Sequence, residues 1–322
     1  MATLKDIARD CGVSVSAVCT AINHPHKISK ELREKILNRA RELNYFVNKS
    51  LKIQKILLVF ENYKNHFYGE YYSDVIFGIT QRLSELGLEF RILSDFEIDY
   101  SEIYDYAGII FVGKTPDTFL LRAKQYRMSC VQAGHPNPLA TAPVVYQNSV
   151  NGLTQLVEYI KNCGHQDIAV LSGETRPEDV IWSEFFGYIQ KEFAAKNITV
   201  YQADYSLIQS IEIAFTKILR RKKTTLILCS SDLIAYYVYK AAKKYSINIP
   251  KDISVTGFDG VFIPRFVDEP WPKLTTVFSD KVEIGRQSVN LLLDILKNPK
   301  KVKLLNPLPM QISIGDSVRR LG

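Results

Sequence analysis

Apolar residues recur along this chain with two different spacings, and the spacing changes near residue 55. Before that point they return at every third or fourth position, which is typical of short amphipathic helices. Beyond it, short runs of β-branched and aliphatic residues alternate with longer amphipathic stretches. This alternation is typical of parallel sheets covered by helices on both faces. The pattern therefore predicts an α/β protein that carries a small helical head at its N-terminus.

The pattern of the body predicts more strands than one small sheet can hold. The predicted strands are 55–60, 89–94, 108–113, 129–133, 167–172, 198–203, 225–229, 253–257, 273–278 and a last one near 310–314. The predicted helices are 71–86, 116–126, 149–163, 183–196, 206–221, 232–245 and 281–296. We therefore predict two doubly wound parallel-sheet subdomains, with a ligand cleft between them outside the carboxyl ends of the strands.

The pattern of the head predicts a helix, a tight turn and a second helix. Thr3 and Asp6 form a capping box, because each can satisfy an unpaired backbone N–H at the start of a helix. Gly12 provides the turn, and Ser14 can cap the second helix. A third amphipathic stretch, 29–44, would close a small core. Two helices joined by a short glycine turn form a helix-turn-helix, whose second helix enters a DNA major groove.

The charge of the chain is concentrated in the same segment. Residues 1–55 contain eleven lysines and arginines against five carboxylates, a net charge of +6. The whole chain carries +7, so the rest of the chain contributes only +1. A polyanionic partner is therefore expected at the head rather than at the body. The alternative is a basic helical bundle with solvated side chains, but it does not explain why capping, turn and charge coincide.

The remaining bulk properties exclude several classes of protein. No apolar run approaches the ~20 residues that a membrane span needs, and the N-terminus lacks the apolar core of a signal peptide. The five cysteines are odd in number and scattered, with no CxxC pair, which predicts reduced thiols in a cytosol. We found no hydrolase, metalloprotease or nucleotide-binding motif, so we predict a protein that is not an enzyme and has no metal or cofactor.

Several motifs, taken in order, resemble the lactose/galactose repressor family of bacterial transcription regulators. They are 3–8 (TLKDIA), 12–14 (GVS), 21–23 (AIN), 42–45 (ELNY), Asn48, 164–169 (GHQDIA), 250–259 (PKDISVTGFD) and 272–277 (PKLTTV). The resemblance implies a ligand-responsive, dimeric, operator-binding repressor whose body resembles a periplasmic sugar-binding protein of type I. It also implies a location in the bacterial cytoplasm, associated with the nucleoid. It implies a head at 1–48, a linker at 49–55 and an effector-binding and dimerisation domain at 56–322. Subdomain one would comprise about 56–146 and 279–308, and subdomain two about 147–278 and 309–322.

The resemblance also implies which head residues contact DNA. The family positions that touch base edges are held here by Val15, Ser16 and Thr20, which can pack on a thymine methyl or hydrogen-bond to bases. Many relatives carry an arginine where Thr20 stands, so the operator should differ from the common half-site. The family's phosphate-contacting positions are held here by Thr3, Ser14, Asn23, Ser29, Tyr45 and Asn48. For Thr3 and Ser14, capping alone is an alternative that is compatible with phosphate contact.

The linker departs from the family pattern. Relatives have a short helix there, with a leucine that enters the minor groove, whereas only the seven residues 49–55 separate Asn48 from Ile56. A full hinge helix hardly fits this length. Leu51 is the candidate for the minor-groove contact, and we expect DNA binding that is weaker or lacks a strong central kink.

The resemblance implies an effector site formed by residues at strand ends. Asp259 matches the family's acidic ligand contact and can accept hydrogen bonds from two sugar hydroxyls or from a base; the alternative is a local turn or cap. Tyr205 matches a ring-stacking position, with packing as its alternative. The other candidates are Tyr71, Tyr72, His135, Trp182, Glu184 and Ser231. Of the adjacent pair Tyr71 and Tyr72, one is expected to pack in the core, since neighbouring helical residues cannot share a face.

Two of these positions bear on the chemistry of the effector. Glu184 stands where many relatives have a ligand-binding arginine, which disfavours a carboxylate or phosphate effector and favours a neutral sugar. Ala133 stands where many relatives have an aspartate, and His135 is a possible substitute. The leading hypothesis is thus a homodimeric, sugar-responsive repressor of operator DNA. A purine- or nucleoside-responsive regulator and a ligand-binding module with weakened DNA binding are the alternatives.

Overall fold

The structure is a computed structural model that describes residues 3–24, 27–43, 45, 55–60, 69–94, 103–137, 142–173, 180–194, 197–204, 208–261, 270–298 and 302–322. The chain forms two compact units. The first comprises Met1–Asn62, Asp74–Tyr146 and Lys281–Asn306, and the second comprises Tyr63–Ser73, Gln147–Asp280 and Pro307–Gly322. The first unit includes the head. The predicted boundaries of head, linker and subdomains stay a prediction.

The head contains the predicted helices α1 (Leu4–Cys11), α2 (Val15–Asn23) and α3 (Lys30–Glu42). Gly12 ends α1 in the left-handed conformation, with φ of 68°, which glycine adopts without steric cost. The head core is formed by Ile7, Ala8, Cys11, Val18, Ala21, Ile36, Ala40 and Tyr45. The predicted third helix is present, with Ile36, Leu37 and Ala40 buried, although α3 is one residue shorter at its start and two shorter at its end than the predicted 29–44.

The body alternates strands and helices as predicted. The strands are β1 (Lys55–Phe60), β2 (Glu89–Ser94), β3 (Gly108–Val112), β4 (Ser129–Ala133), β5 (Val144–Gln147), β6 (Ile168–Gly173), β7 (Ile198–Ala203), β8 (Leu226–Cys229), β9 (Ser254–Thr256), β10 (Thr276–Phe278), β11 (Leu305–Leu308) and β12 (Gln311–Ser313). The helices are α4 (Gly69–Glu85), α5 (Asp117–Gln125), α6 (Ser149–Asn162), α7 (Val180–Glu192), α8 (Ile208–Arg220), α9 (Asp232–Lys244) and α10 (Lys281–Lys297), with a 3₁₀ turn at Ile103–Asp105.

The six-stranded sheet has the order β11-β5-β4-β3-β1-β2, and its β1 to β5 pairs are parallel. Helices α4 and α10 of the first unit cross at two glycines. A Cβ at Gly78 would lie 2.0 Å from the Val282 carbonyl oxygen, and one at Gly285 would lie 2.2 Å from the Val75 carbonyl oxygen. Only glycine permits so close an approach of two helix backbones.

The four-stranded sheet of the second unit has the parallel order β7-β6-β8-β9. Strands β6, β8 and β9 are buried on both faces, between α8 and α9 on one side and α6 and α7 on the other, whereas the edge strand β7 is partly exposed. This order places β6, β8 and β9 side by side, so their carboxyl ends form one edge, where ligands of such folds bind. A short antiparallel pair, β10 with β12, completes this unit.

The predicted fold class is confirmed, and the differences are local. Helix α7 begins three residues before and ends four residues before the predicted 183–196, and the predicted strand 273–278 shortens to Thr276–Phe278. Strands β5 and β11 were not predicted. Among the described residues, no helix is long and apolar enough to cross a membrane, and no group of three or more potential metal ligands occurs among them.

Candidate functional site

The exposed side of the head is built from the first turns of its helices. Ser14 Oγ accepts a hydrogen bond from the Ala17 N–H at 3.1 Å, and Ser29 Oγ accepts one from the Leu32 N–H at 3.3 Å. Thr3 accepts from the Asp6 N–H at 3.3 Å, and its own N–H donates to the Asp6 carboxylate at 2.9 Å. The Asp6 carboxylate also accepts a hydrogen bond from the Thr3 hydroxyl at 2.7 Å, and this bond, followed by the one from the Thr3 N–H, lowers the pKa of Asp6. Helix N-termini capped in this way present backbone N–H groups that suit phosphate oxygens.

The second helix presents its first turn to solvent. Val15 is 37% exposed although it is apolar, and Ser16 is exposed beside it. The Thr20 hydroxyl is half-buried and donates to the Ser16 carbonyl oxygen at 2.9 Å. An exposed valine followed by a serine matches what a major-groove surface needs, namely an apolar contact for a thymine methyl and a polar one for a base edge.

A polar cluster lies in the second unit and consists of Tyr71, Gln147, Asp259 and Ser279. Gln147 Oε1 accepts hydrogen bonds from the Tyr71 hydroxyl at 3.0 Å and from the Ser279 hydroxyl at 3.2 Å. Burial and the nearby negative charge of Asp259 raise the pKa of Tyr71, so its phenol stays protonated and remains a donor. We call this group the second-unit polar cluster.

The backbone that carries Asp259 is tightly constrained. Asp259 has φ of 93°, a left-handed conformation that is costly for a residue with a side chain. Its Oδ1 accepts a hydrogen bond from the Val261 N–H at 3.3 Å. The preceding Phe258 is buried and packs edge-on against Phe185, with ring centroids 5.3 Å apart. Strain held by surrounding packing is typical of functional positions.

Asp232 fixes the backbone of the loop that carries Asp259. The carboxylate is 3% exposed and accepts a hydrogen bond from the Thr276 hydroxyl at 2.5 Å, while the Asp232 N–H donates to the Phe258 carbonyl oxygen at 2.9 Å. A Cβ at Gly257 would lie 2.1 Å from Asp232 Oδ1, so only glycine fits there. The loop is therefore held at a fixed place beside the strand ends.

Two buried hydroxyls near these strand ends have open hydrogen-bonding capacity. Ser230 Oγ follows β8 and Thr256 Oγ1 ends β9, and neither has a hydrogen-bond partner among the described residues. The two side chains are 2% and 0% exposed. A buried hydroxyl without a partner costs free energy unless a ligand or water satisfies it.

Two known families match separate parts of the chain. Residues 3–48 match the family described as bacterial regulatory proteins, lacI family. Residues 157–318 match the periplasmic binding protein-like domain. The chain belongs to the lacI family of bacterial regulatory proteins. Members of this family are DNA-binding transcriptional regulators controlled by effectors, and the fold is that of this family.

Three curated relatives of this lacI-family regulator span nearly its whole length. The chain is 28% identical to the probable HTH-type transcriptional repressor ExuR of Bacillus subtilis, over 100% of this chain and 99% of the relative. It is 26% identical to the ribose operon repressor of Haemophilus influenzae, over 94% of each chain. It is 24% identical to the HTH-type transcriptional repressor PurR of Histophilus somni, over 100% of each chain.

Two solved structures share the fold. A LacI family transcriptional regulator from Enterococcus faecium with bound ribose aligns with a TM-score of 0.68 at 20% identity, covering 84% of this chain and 100% of its own. The lac repressor dimer bound to operator and an anti-inducer aligns with a TM-score of 0.67 at 20% identity, covering 99% of each.

The structure brings some of the predicted DNA contacts of this lacI-family regulator to the head surface. The first turns of the head helices and their N-caps hold five of these residues, namely Thr3, Ser14, Val15, Ser16 and Ser29. Tyr45, in contrast, is 5% exposed and packs in the head core, so most of its ring is used for packing. Asn48 and Leu51 lie outside the described residues, and the side chain of Asn23 is not described. The contacts with DNA stay predictions.

Only some of the predicted effector residues lie in the second-unit polar cluster. Tyr71 and Asp259 share the second-unit polar cluster, and Tyr72 packs edge-on against Tyr71 with ring centroids 4.9 Å apart. Ser231 caps α9, where its hydroxyl accepts a hydrogen bond from the Ile234 N–H at 3.2 Å. His135 belongs to the first unit and is half-buried.

Three predicted effector residues have no described side chain. Tyr205 lies outside the described residues, while Trp182 and Glu184 lie in α7, where the backbone alone is described. Sequence reasoning missed Gln147, Ser279 and Asp232. A search for polar residues that directly follow predicted strands would have found Ser279, just after 273–278, whereas Asp232 lies three residues beyond 225–229. The same search would have missed Gln147, because its strand was not predicted.

Proposed function

We propose that this lacI-family regulator is a cytoplasmic repressor that acts as a homodimer on operator DNA. Two heads would read the half-sites of a pseudo-palindrome, because a two-fold symmetric protein matches a two-fold symmetric site. Val15, Ser16 and Thr20 would contact base edges, and the capped helix starts at Thr3, Ser14 and Ser29 would contact phosphates. The observation that carries this is the exposed first turn of α2 in the segment that holds nearly all the net positive charge.

We propose further that a small neutral sugar controls operator affinity by binding at the second-unit polar cluster. The Asp259 carboxylate can accept hydrogen bonds from two vicinal hydroxyls, and the Tyr71 oxygen, whose O–H donates to Gln147, can itself accept one. The unpartnered hydroxyls of Ser230 and Thr256 lie at ends of the same sheet. Relatives support this ligand class, since one is named a ribose operon repressor and one aligned structure holds ribose.

A nucleobase or nucleoside is the second candidate effector. The adjacent rings of Tyr71 and Tyr72 provide aromatic surface, and a carboxylate such as Asp259 can accept a pair of base N–H groups. The two candidates require the same mechanism, in which the effector binds one conformation of the protein more tightly and shifts the population toward it. The two candidates differ only in the ligand, so a measurement of ligand binding distinguishes them.

A thermal-shift panel separates the two candidates on the full chain. A specific ligand raises the unfolding temperature because it binds the native state only. We expect a neutral pentose, hexose or disaccharide to raise it, and purines and nucleosides to leave it unchanged. The reverse result would contradict the sugar proposal and support the second candidate.

A binding experiment tests the DNA half of the proposal. Duplexes from the region upstream of the protein's own gene are titrated with the full chain and with the triple variant Val15→Ala, Ser16→Ala, Thr20→Ala. We expect the triple variant to lose sequence discrimination but to keep salt-sensitive, non-specific affinity, because base contacts specify whereas phosphate contacts only position. Equal discrimination by both proteins would contradict the assignment of α2. A wild-type chain without discrimination would instead favour a ligand-binding module with weakened DNA binding.

A further inference from the structure

The head contacts the rest of the first unit directly. Arg33 of α3 pairs with Asp105 of the 3₁₀ turn, Nη2 to Oδ1, at 2.6 Å. Glu42 at the end of α3 pairs with Arg127 just after α5, Oε1 to Nη2, at 2.7 Å. Between these two points, Arg41 Nη1 donates to the Tyr126 carbonyl oxygen at 3.0 Å. The third head helix is thus attached to the body at several places along its length, and we call these contacts the docking contacts.

Arg33 also contacts α2, the helix that we propose reads DNA. Its Nε donates to the Ala21 carbonyl oxygen at 3.3 Å, near the end of α2. Its side chain is only 12% exposed, whereas that of Asp105 is 46% exposed. One rigid, planar guanidinium therefore joins the helix that reads DNA to a turn of the body. A positive charge at the C-terminal end of a helix is also favourable, because the last carbonyl groups carry partial negative charge.

The second attachment continues into the head as a chain of charges. Arg39 donates to Asp10 of α1 at 2.6 and 2.9 Å and to Glu42 at 2.5 Å, and Glu42 then pairs with Arg127. The hydrogen bonds from Arg39 lower the pKa of both carboxyl groups. Asp10 and Glu42 therefore stay charged at neutral pH, and the network connects α1 and α3 with the body.

Arg127 has a backbone conformation that points to a use for its side chain. It follows the C-cap of α5 with φ of 52°, a left-handed position where helices usually place glycine. A side chain there costs conformational energy that glycine would not. The arginine contributes the ion pair with Glu42 instead.

The docking contacts leave the DNA-reading face open. Val15 and Ser16 are exposed in the docked head, so docking and DNA contact use different sides of it. Partly exposed ion pairs are individually weak and screened by salt. A contact of this kind holds the head in one orientation without locking it there permanently.

We propose that Arg33 and Arg127 are positioning residues for operator recognition: they dock the head on the first unit and thereby set the direction and spacing of the two recognition helices in the dimer. This inference rests on the proposed function and specifies its regulation. An effector that alters the body would reach the DNA through the docked head, with no need for a hinge helix in the short linker.

The test measures how operator affinity changes when the distance between the two half-sites is increased. An operator selected from random duplexes with the wild-type full chain is rebuilt with zero, one or two base pairs inserted between its half-sites. Docked heads have a fixed spacing, so we expect wild-type affinity to fall about tenfold or more on insertion of two base pairs, which rotates and shifts one half-site. The body-side double variant Asp105→Asn, Arg127→Gly should lose only about threefold on the same insertion.

The variants are chosen so that folding does not obscure the result. Arg127→Gly relieves the left-handed backbone, so the unfolding temperature should stay equal or rise. As the matched control, Lys124→Ala removes an exposed cation from the last turn of α5, three residues before Arg127. We expect Lys124→Ala to keep the wild-type spacing preference. A double variant that is folded and retains the wild-type preference would overturn the docking inference, as would a wild-type chain that is indifferent to spacing. A wild-type chain that selects no duplex would instead refute the proposed function itself.

Discussion

Replacing Asp259 by asparagine removes one negative charge from the second-unit polar cluster while keeping the shape of the side chain. The asparagine Oδ1 can still accept the hydrogen bond from the Val261 N–H, which spans 3.3 Å in the structure. The backbone at this residue has φ of 93°, and asparagine tolerates left-handed conformations at least as well as aspartate. We therefore expect the free energy of unfolding to change by less than about 0.5 kcal/mol.

The effect on the effector should be much larger than the effect on stability. A hydrogen bond to a charged group contributes about 1.5–3 kcal/mol, against about 0.5–1.5 kcal/mol for a neutral one. The loss is thus about 1 kcal/mol for each hydroxyl that the carboxylate accepts. Two hydroxyls give about 2 kcal/mol, which corresponds to about a 30-fold rise in the Kd of the sugar.

Isothermal titration calorimetry with the sugar identified by the thermal-shift panel measures this directly. Asp294→Asn is the matched control, because Asp294 is exposed on α10 of the first unit and the substitution removes the same charge. The control should bind the sugar like the wild type. An Asp259→Asn protein that is stable and binds with unchanged Kd would refute the role of this carboxylate.

Three further predictions concern stability. Gly257→Ala places a Cβ 2.1 Å from the Asp232 carboxylate and should lower the free energy of unfolding by about 1–3 kcal/mol through overpacking; chemical denaturation with an unchanged midpoint would contradict this. Thr3→Ala removes the capping box and should destabilise the head by about 1 kcal/mol, measured as faster hydrogen exchange in α1 but not in α9. Asp10 and Glu42 have pKa values below their ordinary 3.8 and 4.5, so their stabilisation is complete above those values and is lost as the pH falls through the lowered ones. A pH titration of head unfolding that is flat below pH 4.5 would contradict the network.

The sequence alone predicted the elements whose side-chain period is regular. Strands β2, β4 and β7 have the predicted bounds, because runs of apolar residues bounded by polar ones leave little choice. Strand β11 was missed for a physical reason. It reads Leu-Asn-Pro-Leu, and proline and asparagine disfavour strands, but β11 lies at the edge of its sheet, where proline is tolerated.

The candidate site was only partly predictable. Asp259 and Tyr71 came from the family resemblance, whereas Gln147 and Ser279 join them through contacts between residues 132 positions apart. The docking contacts are equally non-local, since Arg33 and Asp105 are 72 positions apart. No periodicity or local motif marks such pairs, because they exist only once the elements have packed together.

The most direct test of the whole account is the operator affinity of the full chain, measured by fluorescence anisotropy over a series of salt concentrations, with and without the identified sugar. The account predicts that log K falls linearly with log salt, with a slope of about −0.9 for each phosphate contacted. It also predicts that saturating sugar changes K by about 5- to 150-fold at fixed salt. Absence of sequence-specific binding even at low salt, or an operator affinity that the bound sugar does not change, would contradict it.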